Sequence, residues 1–103
     1  MWRCIIIEDE QNAREFIENL IHRYFSSKIV VLDACASINE GVEAIKKFKP
    51  ELVFLDIQMP NERGFKLFEY FDNINFDVIF TTAHKEFAIE AIKHSAQDYL
   101  GGF

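Results

Sequence analysis

Short apolar runs alternate along this chain with longer amphipathic ones, and that alternation limits the possible folds more than any other feature. Cys4 to Ile7, Ile29 to Ala34, Leu52 to Leu55 and Val78 to Phe80 are the runs, and Tyr99-Leu100 is the stub of a fifth. Hydrophobicity that is continuous rather than alternating implies strands buried on both faces. With amphipathic stretches between them, the pattern predicts an α/β fold: a five-stranded parallel sheet, doubly wound by helices through right-handed crossovers.

The intervening segments carry helix signals. Ala13, Phe16, Ile17, Leu20, Ile21 and Tyr24 recur at helical spacing, with Arg14, Glu15, Glu18 and Asn19 on the other side. Ser37 with Glu40 forms a capping box ahead of Val42, Ile45 and Phe48, and Pro50 ends that helix. Gly64 opens a third helix with Leu67, Phe68 and Phe71, and His84 to Ser95 supplies a fourth with Phe87, Ala88, Ala91 and Ile92 inward. Gly101 and Gly102 follow the fifth strand directly, so no fifth helix is expected.

With 103 residues, half of them hydrophobic, one core is affordable, and residues 1–103 read as a single domain. Seventeen acids against 11 bases give a formal charge of -6, which argues against direct nucleic-acid binding. No apolar run reaches membrane-spanning length, and the opening MWRCIII meets acids rather than a cleavage-site pattern, so a cytoplasmic location is expected. Cys4 and Cys35 lie in apolar runs as small buried hydrophobes. His22 and His94 lack metal-ligand spacing.

In an open parallel sheet, ligands bind beyond the carboxyl ends of the strands. Glu8, Asp9 and Glu10 follow the first strand, Asp56 the third, Thr81 and Thr82 the fourth. Taken singly, an acid there is equally explained by capping and the helix macrodipole, and a threonine by its suitability for strands. Together, carboxylates gathered at one edge raise each other's pKa unless a cation neutralises them, and an all-oxygen set suits Mg²⁺.

The spacing of EDE at 8–10, LDIQMP at 55–60, Gly64, TTAH at 81–84 and DYL at 98–100 resembles bacterial response-regulator receiver domains over nearly the whole chain. The resemblance implies the flavodoxin-like, CheY-like form of the doubly wound sheet, with strand order 2-1-3-4-5. It also implies a Mg²⁺ site formed by Glu8, Asp9, Asp56 and the backbone carbonyl of Gln58. Asp56 then takes a phosphoryl group from a sensor histidine kinase in a two-component system. Thr82 matches the family's switch hydroxyl, with Ala83 leaving the donor room, and Tyr99 matches the aromatic that moves with it. His84 falls where the family tunes the lifetime of the phosphoryl group, or simply starts a helix. Met59-Pro60 and Gly64 read as loop punctuation without chemistry.

The chain departs from the family where a Lys and a Pro are expected, since Gly102 and Phe103 stand there. A truncated regulator is the reading favoured, with a naturally divergent receiver as the other. The stretch from Thr81 to Leu100 is most similar to receivers of LytTR-type transcriptional regulators, whose DNA-binding domain would lie outside these residues. Homodimers would form through the fourth helix and fifth strand, or through the face a missing helix leaves open. The protein would catalyse its own phosphorylation and dephosphorylation without being a metabolic enzyme. A phosphorylation-independent interaction module is the competing expectation. A phosphohydrolase would want an acid where Gln58 stands, and a phosphate cradle after the first strand is incompatible with EDEQNAR.

Overall fold

A computed structural model of the chain describes residues 1–59 and 62–81. Strand β1 (Trp2–Ile7) leads to helix α1 (Gln11–Phe25), β2 (Ile29–Cys35), α2 (Ile38–Phe48) and β3 (Leu52–Asp56). A short antiparallel pair follows, β4 (Gln58–Met59) with β5 (Glu62–Arg63), then a 3-10 helix (Gly64–Tyr70) and β6 (Asp77–Thr81). The main sheet is parallel in the order β2-β1-β3-β6, which is the expected order for the strands described. The fifth strand at Tyr99-Leu100, the helix from His84 to Ser95 and the glycines at 101 and 102 lie outside the described residues.

Cys4 to Ile7 and Leu52 to Leu55 have no exposed surface, because each face of the sheet is covered. Alternation assigns their side chains. Cys4, Ile6, Leu52, Phe54 and Ile79 pack against Ile17, Leu20, Ile21 and Phe25 of α1. Ile5, Ile7, Val53 and Leu55 pack against Ile38, Val42 and Ile45 of α2 and Leu67 of the 3-10 helix. Two strands buried on both sides therefore hold the sheet between two apolar layers, as the unbroken runs required.

The helices refine the reading of the sequence. In α1 the buried face is Ala13, Ile17, Leu20, Ile21 and Phe25. Phe16 and Tyr24, expected inward, are 37% and 47% exposed, and the Arg23 guanidinium lies 5.5 Å from the Tyr24 ring centre. Ser37 caps α2 as expected and pairs with Glu40: its Oγ accepts from Glu40 N–H at 3.2 Å and donates to Glu40 Oε2 at 3.3 Å. The third helix is 3-10 rather than α, and its two buried residues, Gly64 and Leu67, are one 3-10 turn apart. Phe71 falls just beyond it and meets Phe76 edge-on at 5.4 Å.

Lys49 closes α2 in the left-handed region, φ 49°, with its N–H donating to the Ile45 carbonyl at 2.9 Å. A side chain there is strained, and Pro50 prevents the helix from continuing. Lys49→Gly is expected to raise stability by about 0.5–1 kcal/mol in chemical denaturation. A lower unfolding midpoint would contradict it.

Candidate metal centre

The site is the next step of the α1 side of the sheet. In register, Cys4 stands beside Leu52, then Ile6 beside Phe54 and Phe54 beside Ile79. Two residues further on, the same side carries Asp56 paired with Thr81, while Glu8 follows the last residue of β1. The apolar layer thus ends in carboxylates where the strands reach their carboxyl ends, and it buries them: Glu8 is 7% exposed and Asp56 4%.

Glu8, Asp9 and Asp56 each offer a carboxylate oxygen, and these atoms all lie within 4.8 Å of one another. Burial pushes the Glu8 carboxyl up from its ordinary 4.5 to about 8; the Glu10 N–H, donating to Glu8 Oε2 at 2.8 Å, opposes the rise, and neighbouring Asp9 and Asp56 add to it. Gathering these groups is costly without a cation. A hard divalent ion with oxygen ligands removes that cost, so the donor set fits Mg²⁺.

Main-chain contacts fix the triangle. Glu8 N–H donates to the Cys35 carbonyl at 2.9 Å, extending the β1–β2 ladder into the loop. Arg14, which the sequence placed on the outer side of α1, turns back: its Nη1 donates to the carbonyls of Glu8 at 2.9 Å and Asp9 at 3.2 Å. On the other flank, Gly64 N–H donates to the Ile57 carbonyl at 2.9 Å. A Cβ on Gly64 would collide with the Asp56 carbonyl oxygen and come within 3.0 Å of Ile57 Cα. The glycine read as punctuation is therefore the floor against which the Asp56 backbone rests. Its signal in the sequence was only its place, a few residues after a strand-ending acid.

Of the other expected site residues, Gln58 has its backbone in β4, two positions beyond Asp56. Thr82, His84 and Tyr99 lie outside the described residues. Thr81 is buried, and its Oγ1 has no hydrogen-bond partner among the described residues. Cys4 and Cys35 are free and buried, and burial pushes both thiols up to about 12, so neither is a ready nucleophile.

The sequence profile of the response regulator receiver domain matches residues 4–101. The chain belongs to that family. An uncharacterized response regulatory protein of Yersinia pestis is 38% identical over 101 residues, 97% of this chain and 42% of its own length. The transcriptional regulatory protein BtsR of Escherichia coli is 35% identical over 101 residues, again 97% of this chain but 41% of the relative. The receiver domain thus spans about two fifths of these curated relatives. Among solved structures, the solution structure of the receiver domain of the Erythrobacter litoralis response regulator PhyR is 31% identical, with a TM-score of 0.66 over 80% of this chain and 63% of that one. A receiver domain belongs to a two-component system, and the four main strands and acidic triangle described above are its framework in this chain. Among the described residues no helix is long and apolar enough to cross a membrane.

Proposed function

We propose that Asp56 is the phosphoacceptor of this receiver domain, in a Mg²⁺-dependent transfer from a sensor histidine kinase. The supporting observation is the buried Asp56 carboxylate at the end of β3, within 4.8 Å of both Glu8 and Asp9. Glu8, Asp9, Asp56 and the Gln58 carbonyl would hold the ion. When bound, it supplies positive charge against the equatorial phosphoryl oxygens, which two neighbouring anions would otherwise repel.

The chain's own part is positioning. An Asp56 carboxylate oxygen attacks phosphorus, the bond from phosphorus to the donor imidazole nitrogen breaks, and its electron pair leaves with the histidine. Gly64 and the β3 ladder keep that oxygen in place, and Arg14 holds the Glu8–Asp9 loop from behind. Thr82 takes the role of the hydroxyl that turns toward the phosphoryl oxygens, Tyr99 follows it, and His84 tunes how long the modification lasts. The protein acts on itself and turns over no metabolite.

In the intact regulator the modification controls an output domain outside these residues. A relative's name, transcriptional regulatory protein, supports a DNA-binding output, for which a LytTR-type domain is our reading. Cytoplasmic placement follows from a kinase partner and a transcriptional output. Homodimers would form through the fourth helix and fifth strand.

Beryllofluoride, a mimic of the phosphoryl group, provides the test. Binding is expected only with Mg²⁺ present and is expected to vanish in Asp56→Asn, followed by ¹⁹F NMR. Absence of binding at millimolar Mg²⁺ would instead support the phosphorylation-independent interaction module.

A further inference from the structure

Three successive carbonyls of the acidic segment accept hydrogen bonds from one residue. Arg14 Nη1 donates to the Glu8 carbonyl at 2.9 Å and to the Asp9 carbonyl at 3.2 Å, and the Arg14 backbone N–H donates to the Glu10 carbonyl at 2.9 Å. The N–H side of the segment is held as well, since Glu8 N–H donates to the Cys35 carbonyl at 2.9 Å and Glu10 N–H to Glu8 Oε2 at 2.8 Å. The peptide unit joining Asp9 to Glu10 is thus gripped at both ends, by the Arg14 guanidinium on its oxygen and by the Glu8 carboxylate on its nitrogen. Arg14 is half-buried, so these contacts are partly shielded from water.

The guanidinium has opposing effects on a cation. On charge alone it repels one approaching the carboxylates beside it. Through its hydrogen bonds it prevents the Asp9–Glu10 peptide from turning, a motion that would break a charge-assisted bond and release the Glu8 carboxylate from its N–H. Fixed ligands suit some ions more than others. Mg²⁺ requires near-octahedral oxygens at about 2.0–2.1 Å, whereas Ca²⁺ accepts a looser set at about 2.3–2.6 Å.

Resting on the reading of Glu8, Asp9 and Asp56 as the metal centre, we propose that Arg14 is a positioning residue that makes this centre selective for Mg²⁺ over Ca²⁺. It acts through the main chain from Glu8 to Glu10, holding the Glu8 and Asp9 carboxylates where a small ion can gather them with Asp56. For Mg²⁺ the gain in ligand placement outweighs the repulsion. For Ca²⁺ the gain is nearly absent, because its coordination adapts to a shifted ligand.

The test titrates the unphosphorylated chain with Mg²⁺ alone and with Ca²⁺ alone, following backbone amide resonances by NMR. Arg14→Met keeps the apolar stem and the backbone bond to Glu10 but removes both side-chain contacts. Its Mg²⁺ affinity is expected to fall about tenfold, while its Ca²⁺ affinity stays within about threefold of the parent's or tightens. Tighter binding of both ions would mean that Arg14 acts only by its charge, and equal weakening of both that it has no part in selectivity; either overturns the inference. So does a lower melting temperature with both affinities unchanged, the result for an arginine that serves only the fold. Arg14→Gln, shorter and neutral, repeats the removal where Arg14→Met does not fold, and failure of both variants to fold also overturns it. A parent whose Mg²⁺ response matches that of Asp56→Asn overturns the metal centre and this inference with it. A parent that binds through Asp56, with the same ratio of Mg²⁺ to Ca²⁺ affinity in Arg14→Met, overturns the inference alone.

Discussion

Gly64→Ala is expected to cost about 2–3 kcal/mol of stability and to weaken Mg²⁺-dependent beryllofluoride binding by at least about tenfold. The requirement is one of space. An added Cβ would meet the Asp56 carbonyl oxygen, the Asp56 carbonyl carbon at 3.1 Å and Ile57 Cα at 3.0 Å, all of them backbone. No side chain can swing aside to make room. Either the 3-10 helix moves away and loses the Gly64 N–H bond to the Ile57 carbonyl, or β3 shifts at Asp56 itself. Both alternatives disturb the residue that must stay within a few tenths of an ångström of its attack position. In a domain of this size the loss lowers the melting temperature by roughly 10–20 °C. A Gly64→Ala protein that melted with the parent and bound beryllofluoride equally well would show that the segment yields without cost.

The strands were legible because burial on both faces leaves no alternation to misread. Cys4 to Ile7 and Leu52 to Leu55 read as the middle of a covered sheet, and they occupy the two inner strands of the four described. The cap at Ser37 was legible for a different reason: its partners are three residues apart, so the chemistry is local. The misreadings arise where position depends on contacts distant in sequence. Phe16 and Tyr24 satisfy helical spacing, but α1 buries Phe25 in their stead. Leu67, Phe68 and Phe71 have α spacing, while the close approach of Gly64 to β3 goes with a tighter 3-10 turn in which Leu67 is the buried residue. The two-residue strands β4 and β5 are too short to carry any periodicity.

The acidic site divides along the same line. Glu8, Asp9 and Asp56 could be found because each ends an apolar run, and the sheet brings those ends together. Arg14 could not. Helical spacing puts it among Glu15 and Glu18 on the solvent side, yet its long side chain reaches the carbonyls of Glu8 and Asp9. Such a contact uses flexible length rather than facing direction, and no residue pattern encodes it.

Without divalent cations, stability is expected to fall as pH rises from about 4.5 to about 8, and Mg²⁺ is expected to reverse the fall. Glu8 carries the effect. Its carboxyl titrates near 4.5 when unfolded and is pushed up to about 8 in the fold, chiefly by burial and further by Asp9 and Asp56. Between those values the folded chain keeps a proton that the unfolded chain has released. The contribution is therefore fully present below 4.5 and is lost as pH rises through the folded value, a change on the order of a few kcal/mol. A cation in the triangle favours the ionised carboxylates, so binding expels the proton and becomes tighter with pH. The rise in melting temperature caused by millimolar Mg²⁺ should accordingly be larger at pH 8 than at pH 6, because tighter binding stabilises more at a fixed concentration. Glu8→Gln removes the titrating group, so its metal-free stability should be nearly flat across this window and should exceed the parent's at pH 8. Melting curves in a chelator at several pH values check the first half, and the same curves with Mg²⁺ check the second. Equal pH slopes in the parent and Glu8→Gln would remove Glu8 as the source. A Mg²⁺ effect independent of pH would mean that the ion binds elsewhere than among these carboxylates.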